Sequence, residues 1–344
     1  MNELPTSMRA SVLRAVGDIA VEDRPVPEPG PHEVLVRVAA VGTCGSDTHY
    51  YEHGRVGGFV VREPLILGHE ASGTVVARGS EVTGHAPGTR VSLEPGVPCG
   101  SCHECRSGRY NLCPEVRFFA TPPVDGAFCE YVTLHEQFAY PVPEDMSDEA
   151  AALVEPLSVA VWACRKAGVS PGSRVLVTGA GPIGLLAAQT ARAFGATEIV
   201  TTDVSERRLR MAAELASAET IDVRASGLGD SGYEPDVLLE CSGNPKAGAE
   251  AVGTLARAGR GVFVGLGGDE LPIPLAHVQT REIELTGTFR YANTWPTAIA
   301  LAASGAVELD RLVTHRFGLD RVPEALTASA RDETAVKSVV RPQE

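Results

Sequence analysis

The chain has 344 residues, 44% of them apolar and 22% charged, and 44 acidic against 30 basic residues give it a net charge of −14. That is enough material for about two domains with real cores, which excludes a disordered chain, and so acidic a surface repels phosphate backbones, which argues against nucleic acid as a partner. The opening MNELPTSMRA lacks the apolar run of a signal peptide,, and the apolar stretches 151–164 and 175–188 are broken by Glu155, Pro156 and glycines before they reach the ~20 residues of a membrane span,. A cytoplasmic protein with no membrane partner is the expectation. In that compartment eight cysteines point to metal rather than to disulfides,. The lysines are only Lys166, Lys246 and Lys337, which reads as coding bias.

Residues 1–155 carry short β-type runs at 33–42, 71–79 and 127–134, separated by Gly and Pro. This texture predicts a β-rich, barrel-like domain. Within it, Cys44 sits in GTCGSDTHYYEHG, and His69 and Glu70 sit in the LGHE turn before a strand. With Glu155 they supply a thiolate, an imidazole and carboxylates, a donor set that suits an open, catalytic zinc site. Their spacing alone does not bring them together, and each taken singly reads as well as a core or solvated residue.

Cys99, Cys102, Cys105 and Cys113 lie within one short segment. Four thiolates can surround one Zn²⁺ tetrahedrally and leave no position for chemistry, so this is a structural site. Unmetallated thiols and an iron–sulfur cluster are the alternatives, the cluster because Pro114 follows the last cysteine. The seven residues before Cys113 are too many for the bacterial cluster spacing,. His103 inside the loop reads as solvated.

From Asp148 the texture changes. DEAAALVEPLSVAVWACRKAG predicts a helix, or two, broken or kinked at Pro156,. Strands at 174–179 and 198–203, with helices at 181–194 and 205–217, begin an alternation. It continues through PDVLLECSG, a helix over 244–258, RGVFVGLGG and EIELTGTFR. Apolar strands alternating with helices predict an α/β, doubly wound parallel sheet. The first strand runs into Gly179-Ala-Gly181-Pro-Ile-Gly184 and then a helix, the dinucleotide-binding G-x-G-x-x-G in its required context,. The next strand ends in Asp203, placed to accept both ribose hydroxyls and to repel a 2′-phosphate,. NAD is therefore expected, with NADP kept open by Arg207 and Arg208.

The segments 44–73, 117–135, 154–169 and 289–299 resemble closely the zinc-dependent medium-chain dehydrogenases, in their sorbitol (L-iditol) and xylitol dehydrogenase branch. The likeness runs through nearly the whole chain. It implies a GroES-like catalytic domain over 1–155, a Rossmann NAD-binding domain over 156–288 and a return to the catalytic domain over 289–344. The active site would lie in the cleft between them, and the subunits would associate, usually as homotetramers, through the cofactor domains. Residue by residue, Cys44, His69 and Glu70 match the catalytic zinc ligands. Glu155 matches a carboxylate that touches the metal or its water, and Asp47 matches the carboxylate that holds the histidine. Ser46 and Tyr50 match residues that bind the zinc water and substrate hydroxyls, Arg290 and Tyr291 match polyol-binding residues, and Phe118 a pocket wall. Ser46, His49 and Glu155 are the relay candidates for the departing proton. Ile183, Asp203 and Arg208 match NAD contacts, and Val264, Gly265, Leu266, Thr288 and Phe289 the nicotinamide side; in the family Arg208 supports NAD. The segment 218–233 is shorter than in relatives.

The implied reaction is reversible oxidation of the C2 hydroxyl of a linear sugar alcohol (sorbitol, L-iditol or xylitol) to the ketose. Rival readings are the same chemistry on a cyclitol or a threonine-type alcohol, a metal-free quinone or enoyl reductase, and a non-enzymatic NAD-binding redox sensor.

Overall fold

A computed structural model describes residues 4–268 and 270–344. They divide into two compact units, one made of the residues up to Glu155 together with Leu309–Glu344, the other of Pro156–Glu308.

The first unit is built around strand Glu33–Gly42, whose run of Val, Leu and Ala is buried at most positions. Glu70–Arg78 pairs antiparallel along its length, Tyr131–His135 at its start and Lys337–Arg341 at its end. Arg90–Leu93 and Ala139–Pro141 extend the sheet on one side and Val313–Gly318 on the other, making seven strands. A three-stranded sheet of Asp18–Pro25, Ser7–Ala15 and Leu65–Ile66 belongs to the same unit. Their apolar faces share one core that includes Val36, Leu67, Val75, Val91 and Phe128. The expected strand over 127–134 is only partly one. Phe128 gives its N–H to Leu67 and its carbonyl to Ser11, so pairing with Glu33–Gly42 begins at Tyr131.

The second unit holds six parallel strands in the spatial order Glu219–Asp222, Glu198–Asp203, Arg174–Thr178, Val237–Glu240, Arg260–Phe263, Glu284–Gly287. Numbered along the chain this is the 3-2-1-4-5-6 arrangement of dinucleotide-binding folds. The order reverses between Arg174–Thr178 and Val237–Glu240, and ligands bind outside the carboxyl ends of strands at such a switch point.

Three local expectations change. Asp148–Ala167 is one helix with Pro156 inside it. Residues Ala150–Val154, Leu157, Ala160 and Val161 are all buried, and their packing outweighs the lost hydrogen bond, a cost of about 3 kcal/mol. The helix expected over 244–258 ends at Val252, because Ala256 must bond to Pro235 as the chain returns to the sheet. Residues 289–308, expected to return with the C-terminus, stay in the second unit. Arg165 bonds to Asn293 and Thr297, and Gln189 accepts the N–H of Glu308 at 2.8 Å.

Candidate active site

Cys44 ends the approach from strand Glu33–Gly42 and caps helix Gly45–His53. Gly68, with φ of +87°, turns the chain so that His69 and Glu70 enter the adjoining strand. The strands Glu33–Gly42 and Glu70–Arg78 are registered with Gly42 opposite Glu70, which carries Cys44 to the imidazole. A thiol sulfur, an imidazole nitrogen and a carboxylate oxygen from Cys44, His69 and Glu70 all lie within 4.8 Å of one another. Glu155, buried on helix Asp148–Ala167, is not part of that cluster, but its charge reaches Glu70.

Asp47 is the organiser. It is fully buried, and its Oδ2 accepts the N–H of Cys44 at 3.1 Å while its Oδ1 accepts that of Gly68 at 3.0 Å. The same Oδ1 lies 3.5 Å from His69 Nδ1. One carboxylate thus fixes the thiol's backbone, the turn before the imidazole and the imidazole ring, the kind of support metal-binding histidines require. Burial opposes a charged His69, but Asp47 and then Cys44 outweigh it and hold the imidazole well above its ordinary range. A field that keeps a proton on a buried imidazole is also one that attracts a divalent cation. Burial pushes Glu70 up to about 7, Lys337 pulls it down and Glu155 pushes it up again. Lys337 Nζ donates to Glu70 Oε1 at 2.7 Å and to the Thr43 carbonyl at 2.7 Å. Glu70 Oε2 lies 2.5 Å from the same nitrogen and is buried without a hydrogen bond of its own. The donor set fits an open zinc site.

The four-cysteine lobe is different in kind. The sulfurs of Cys99, Cys102, Cys105 and Cys113 also fall within 4.8 Å of one another, with 3.4 Å between Cys102 and Cys105 and 3.9 Å between Cys99 and Cys105. Four sulfurs about 2.3 Å from one zinc would stand about 3.8 Å apart, so the lobe fits the ion. Backbone N–H groups of Cys99, Cys102 and Cys105 point at the sulfurs of Cys113, Cys99 and Cys102. Such bonds draw the Cys99 thiol down to about 6, while burial pushes Cys105 up to about 12. His103 stands outside, its side chain 82% exposed.

In the second unit Gly179 takes φ of +81°, and a Cβ on Gly184 would lie 1.7 Å from the Gly179 carbonyl. Gly181 starts helix Pro182–Ala193 and faces open space. The protein itself does not require glycine there; an anion approaching the helix N-terminus does. Asp203 Oδ2 accepts the N–H of Ala180 at 2.6 Å and Oδ1 that of Ser205 at 2.8 Å. Its carboxylate therefore ties the glycine loop to the second strand. Arg208 is half-buried and Arg207 exposed.

Residues 30–144 match the alcohol dehydrogenase GroES-like domain and residues 182–304 the zinc-binding dehydrogenase domain. Sorbitol dehydrogenase of Bos taurus is 46% identical over 330 residues, 93% of this chain and 92% of that protein. That of Gallus gallus is 45% identical, covering 94% of each. An Escherichia coli oxidoreductase/dehydrogenase of unknown specificity superposes with a TM-score of 0.93 at 34% identity, over 97% of this chain and 99% of that one. The chain belongs to the zinc-binding alcohol dehydrogenases, in their sorbitol dehydrogenase branch.

The residues expected on the substrate and nicotinamide sides are placed as follows. Helix Gly45–His53 presents Ser46 half-buried, His49 exposed and Tyr50 buried. Phe118, expected as a pocket wall, is buried with its ring centroid 5.7 Å from that of His69. In the second unit the Arg290 guanidinium stacks on Phe289 at 4.7 Å, and Tyr291 packs edge-on against Trp295 at 5.1 Å. Arg290 has φ of +54°, a conformation that a non-glycine residue holds only when its surroundings demand it,. Val264 and Gly265 give their N–H groups to the Glu240 carbonyl, Leu266 is exposed, and Thr288 bonds to Phe263. Ile183 is half-buried at the start of its helix.

Two residues that sequence reasoning passed over stand in the first unit. Lys337 is one; the signal was a lone lysine in the apolar strand KSVVR. Glu94 is the other, a buried carboxyl that accepts from Tyr110 at 2.7 Å and also from Tyr140. Nothing in its local sequence marks it. Among the described residues no helix is long and apolar enough to cross a membrane.

Proposed function

We propose that this dehydrogenase oxidises the C2 hydroxyl of a linear sugar alcohol reversibly to the ketose, with NAD as the hydride acceptor and zinc held by Cys44, His69 and Glu70. The observation that carries the reading is the cluster of a half-buried sulfur with a buried nitrogen and a buried oxygen, braced by Asp47, in a chain of the sorbitol dehydrogenase branch. Zinc there supplies a Lewis acid that acidifies a hydroxyl placed beside it. Ser46, Glu155 and the exposed His49 pass the hydroxyl proton towards water. Tyr50, beside the apolar wall of Phe118, bonds to a further hydroxyl; Arg290 and Tyr291 of the second unit are matched to polyol-binding residues by resemblance. A simple alcohol leaves those polar groups unmatched and is rejected.

The pyrophosphate of NAD lies on Gly179, Gly181 and Gly184 and the helix they open. Asp203 takes the ribose hydroxyls, Ile183 and Arg208 flank the adenosine side, and Val264, Gly265, Leu266, Thr288 and Phe289 the nicotinamide side. Cys99, Cys102, Cys105 and Cys113 hold a second, structural zinc. The enzyme works in the cytoplasm as a homotetramer joined through its NAD-binding units.

Initial rates over a polyol panel with NAD and with NADP test the substrate. Sorbitol, L-iditol or xylitol with NAD should exceed ethanol, cyclitols and threonine by orders of magnitude; a cyclitol or threonine oxidised fastest overturns the linear polyol. Metal analysis should find two zinc ions per chain. One, confined to the four-cysteine lobe, favours a metal-free reductase or an NAD-binding redox sensor.

A further inference from the structure

Glu240 closes strand Val237–Glu240 at the switch point of the parallel sheet, only 3% exposed. Its Oε1 accepts from Thr178 Oγ1 at 3.2 Å, from the N–H of Ser242 at 2.9 Å, from the N–H of Gly243 at 3.1 Å and from the hydroxyl of Ser242. Its main-chain carbonyl accepts the N–H groups of Val264 and Gly265, at 2.8 and 2.9 Å. One residue therefore grips the end of the first strand, the loop after its own strand and the loop after the next.

The loop it grips is a shared wall. A Cβ on Gly179 would stand 2.8 Å from Ser242 Cα, one on Gly265 2.3 Å from the Gly243 nitrogen, and one on Gly267 1.8 Å from the Gly243 oxygen. Gly243 itself, at φ of +64°, abuts the Leu266 carbonyl. The glycine loop on one side and Val264–Gly267 on the other thus lie in backbone contact with Ser242 and Gly243, and only glycines allow the approach. Ser242 Oγ passes the restraint on, accepting the N–H of Asn244, which caps helix Pro245–Val252.

We infer that Glu240 is a positioning residue for the dinucleotide: its carboxylate sets the Cys241–Gly243 loop, and through it the spacing between the glycine loop and the nicotinamide-side segment. The bonds converge on Oε1, and Oε2 takes only the N–H of Gly243 at 3.4 Å. An amide keeps an acceptor at Oε1 but sets its own N–H groups against that of Gly243,. This inference rests on the reading that these loops hold NAD, and the test separates the two.

NADH affinity is measured by fluorescence titration of the zinc-loaded protein for wild type, Glu240→Gln, Glu240→Ala and Gly181→Val. Gly181 faces open space in the protein, so its valine folds and blocks only the phosphates. Losing these buried bonds predicts NADH dissociation constants raised about tenfold or more for Glu240→Ala and severalfold for Glu240→Gln. The KM for NAD should rise while kcat at saturating NAD and the KM for polyol hold, and amide exchange at Ser242 and Gly243 should quicken without NAD. A Glu240→Gln protein that binds NADH within twofold of wild type, while Gly181→Val does not bind, overturns the role of Glu240. Gly181→Val binding as tightly as wild type overturns the assignment of NAD to these loops. If Glu240→Ala does not fold, Glu240→Gln decides alone: a fall in kcat with the KM for NAD unmoved refutes positioning.

Discussion

The two cysteine-bearing sites of the first unit place their donors by opposite means. The lobe draws Cys99, Cys102, Cys105 and Cys113 from one short segment, half-exposed apart from Cys113, and its sulfurs are satisfied by the segment's own N–H groups. The other site takes Cys44 from a helix start and His69 and Glu70 from a strand start, and it draws its opposing cation, Lys337, from the C-terminal strand. Its donors are buried or half-buried, and its charges answer one another across the fold. The first site is a local staple; the second exists only once the sheet is assembled.

Cys44→Ser breaks the comparison most sharply. It should lower kcat/KM by about a thousandfold or more, as loss of a Lewis-acid ligand does, and leave one zinc per chain by metal analysis. Cys102→Ser should also leave one zinc per chain, but with kcat at low temperature within severalfold of wild type and a lowered melting midpoint. Equal loss of activity in both variants would show that the lobe is not merely structural.

Lys337→Met probes the long-range half of the site. Lys337 is 4% exposed and balances Glu70. Removing one partner of a buried pair costs about 3–5 kcal/mol because the other charge is left alone. The loss, measured by denaturant unfolding, should be larger after chelation than with zinc loaded, since a cation at Glu70 would replace the missing charge. A loss equal in both states would deny that Lys337 and the metal share Glu70.

Asp47→Asn should cost about 10–100-fold in affinity for the catalytic zinc, read by competition with a chelator, with the lobe's zinc unaffected. An amide keeps one acceptor for Cys44 or Gly68 but cannot serve both backbones and the imidazole.

What the sequence disclosed follows the same division. The cysteine spacing and the G-x-G-x-x-G loop are local, so their geometry was legible before any fold: Gly179 at positive φ and Gly184 against its carbonyl are what the spacing demands. Cys44, His69 and Glu70 offered the right donors, but only the resemblance joined them, since their convergence depends on the pairing of Glu33–Gly42 with Glu70–Arg78. Lys337 was hidden because its partners lie far along the chain, and Glu240 because its local bonds gain meaning only with Thr178 and the Val264–Gly265 turn brought beside it. Residues 289–308, given to the first domain by resemblance, stay with the second unit through their own contacts to Arg165 and Gln189, and of the alternatives left open at Pro156 packing selects the single helix.

Glu94 gives the smallest effect, and it joins the two sites. Tyr110, beside Cys113 in the lobe, donates to its carboxyl. Burial pushes Glu94 up to about 7 from its ordinary 4.5, against the pull of Tyr110 and Tyr140 and with a further push from Glu155. The folded protein then binds a proton between those values that the unfolded chain has released, so its stability falls as pH rises from about 4.5 through about 7,. At most about 3 kcal/mol is at stake over that window. Glu94→Gln keeps the acceptor for the tyrosines and stays neutral. Its unfolding free energy should match wild type near pH 5 and exceed it at pH 8. A gap between the two proteins that is constant with pH would mean that Glu94 is already charged at the bottom of the window, and that the hydroxyls of Tyr110 and Tyr140, not protonation, hold it in the core.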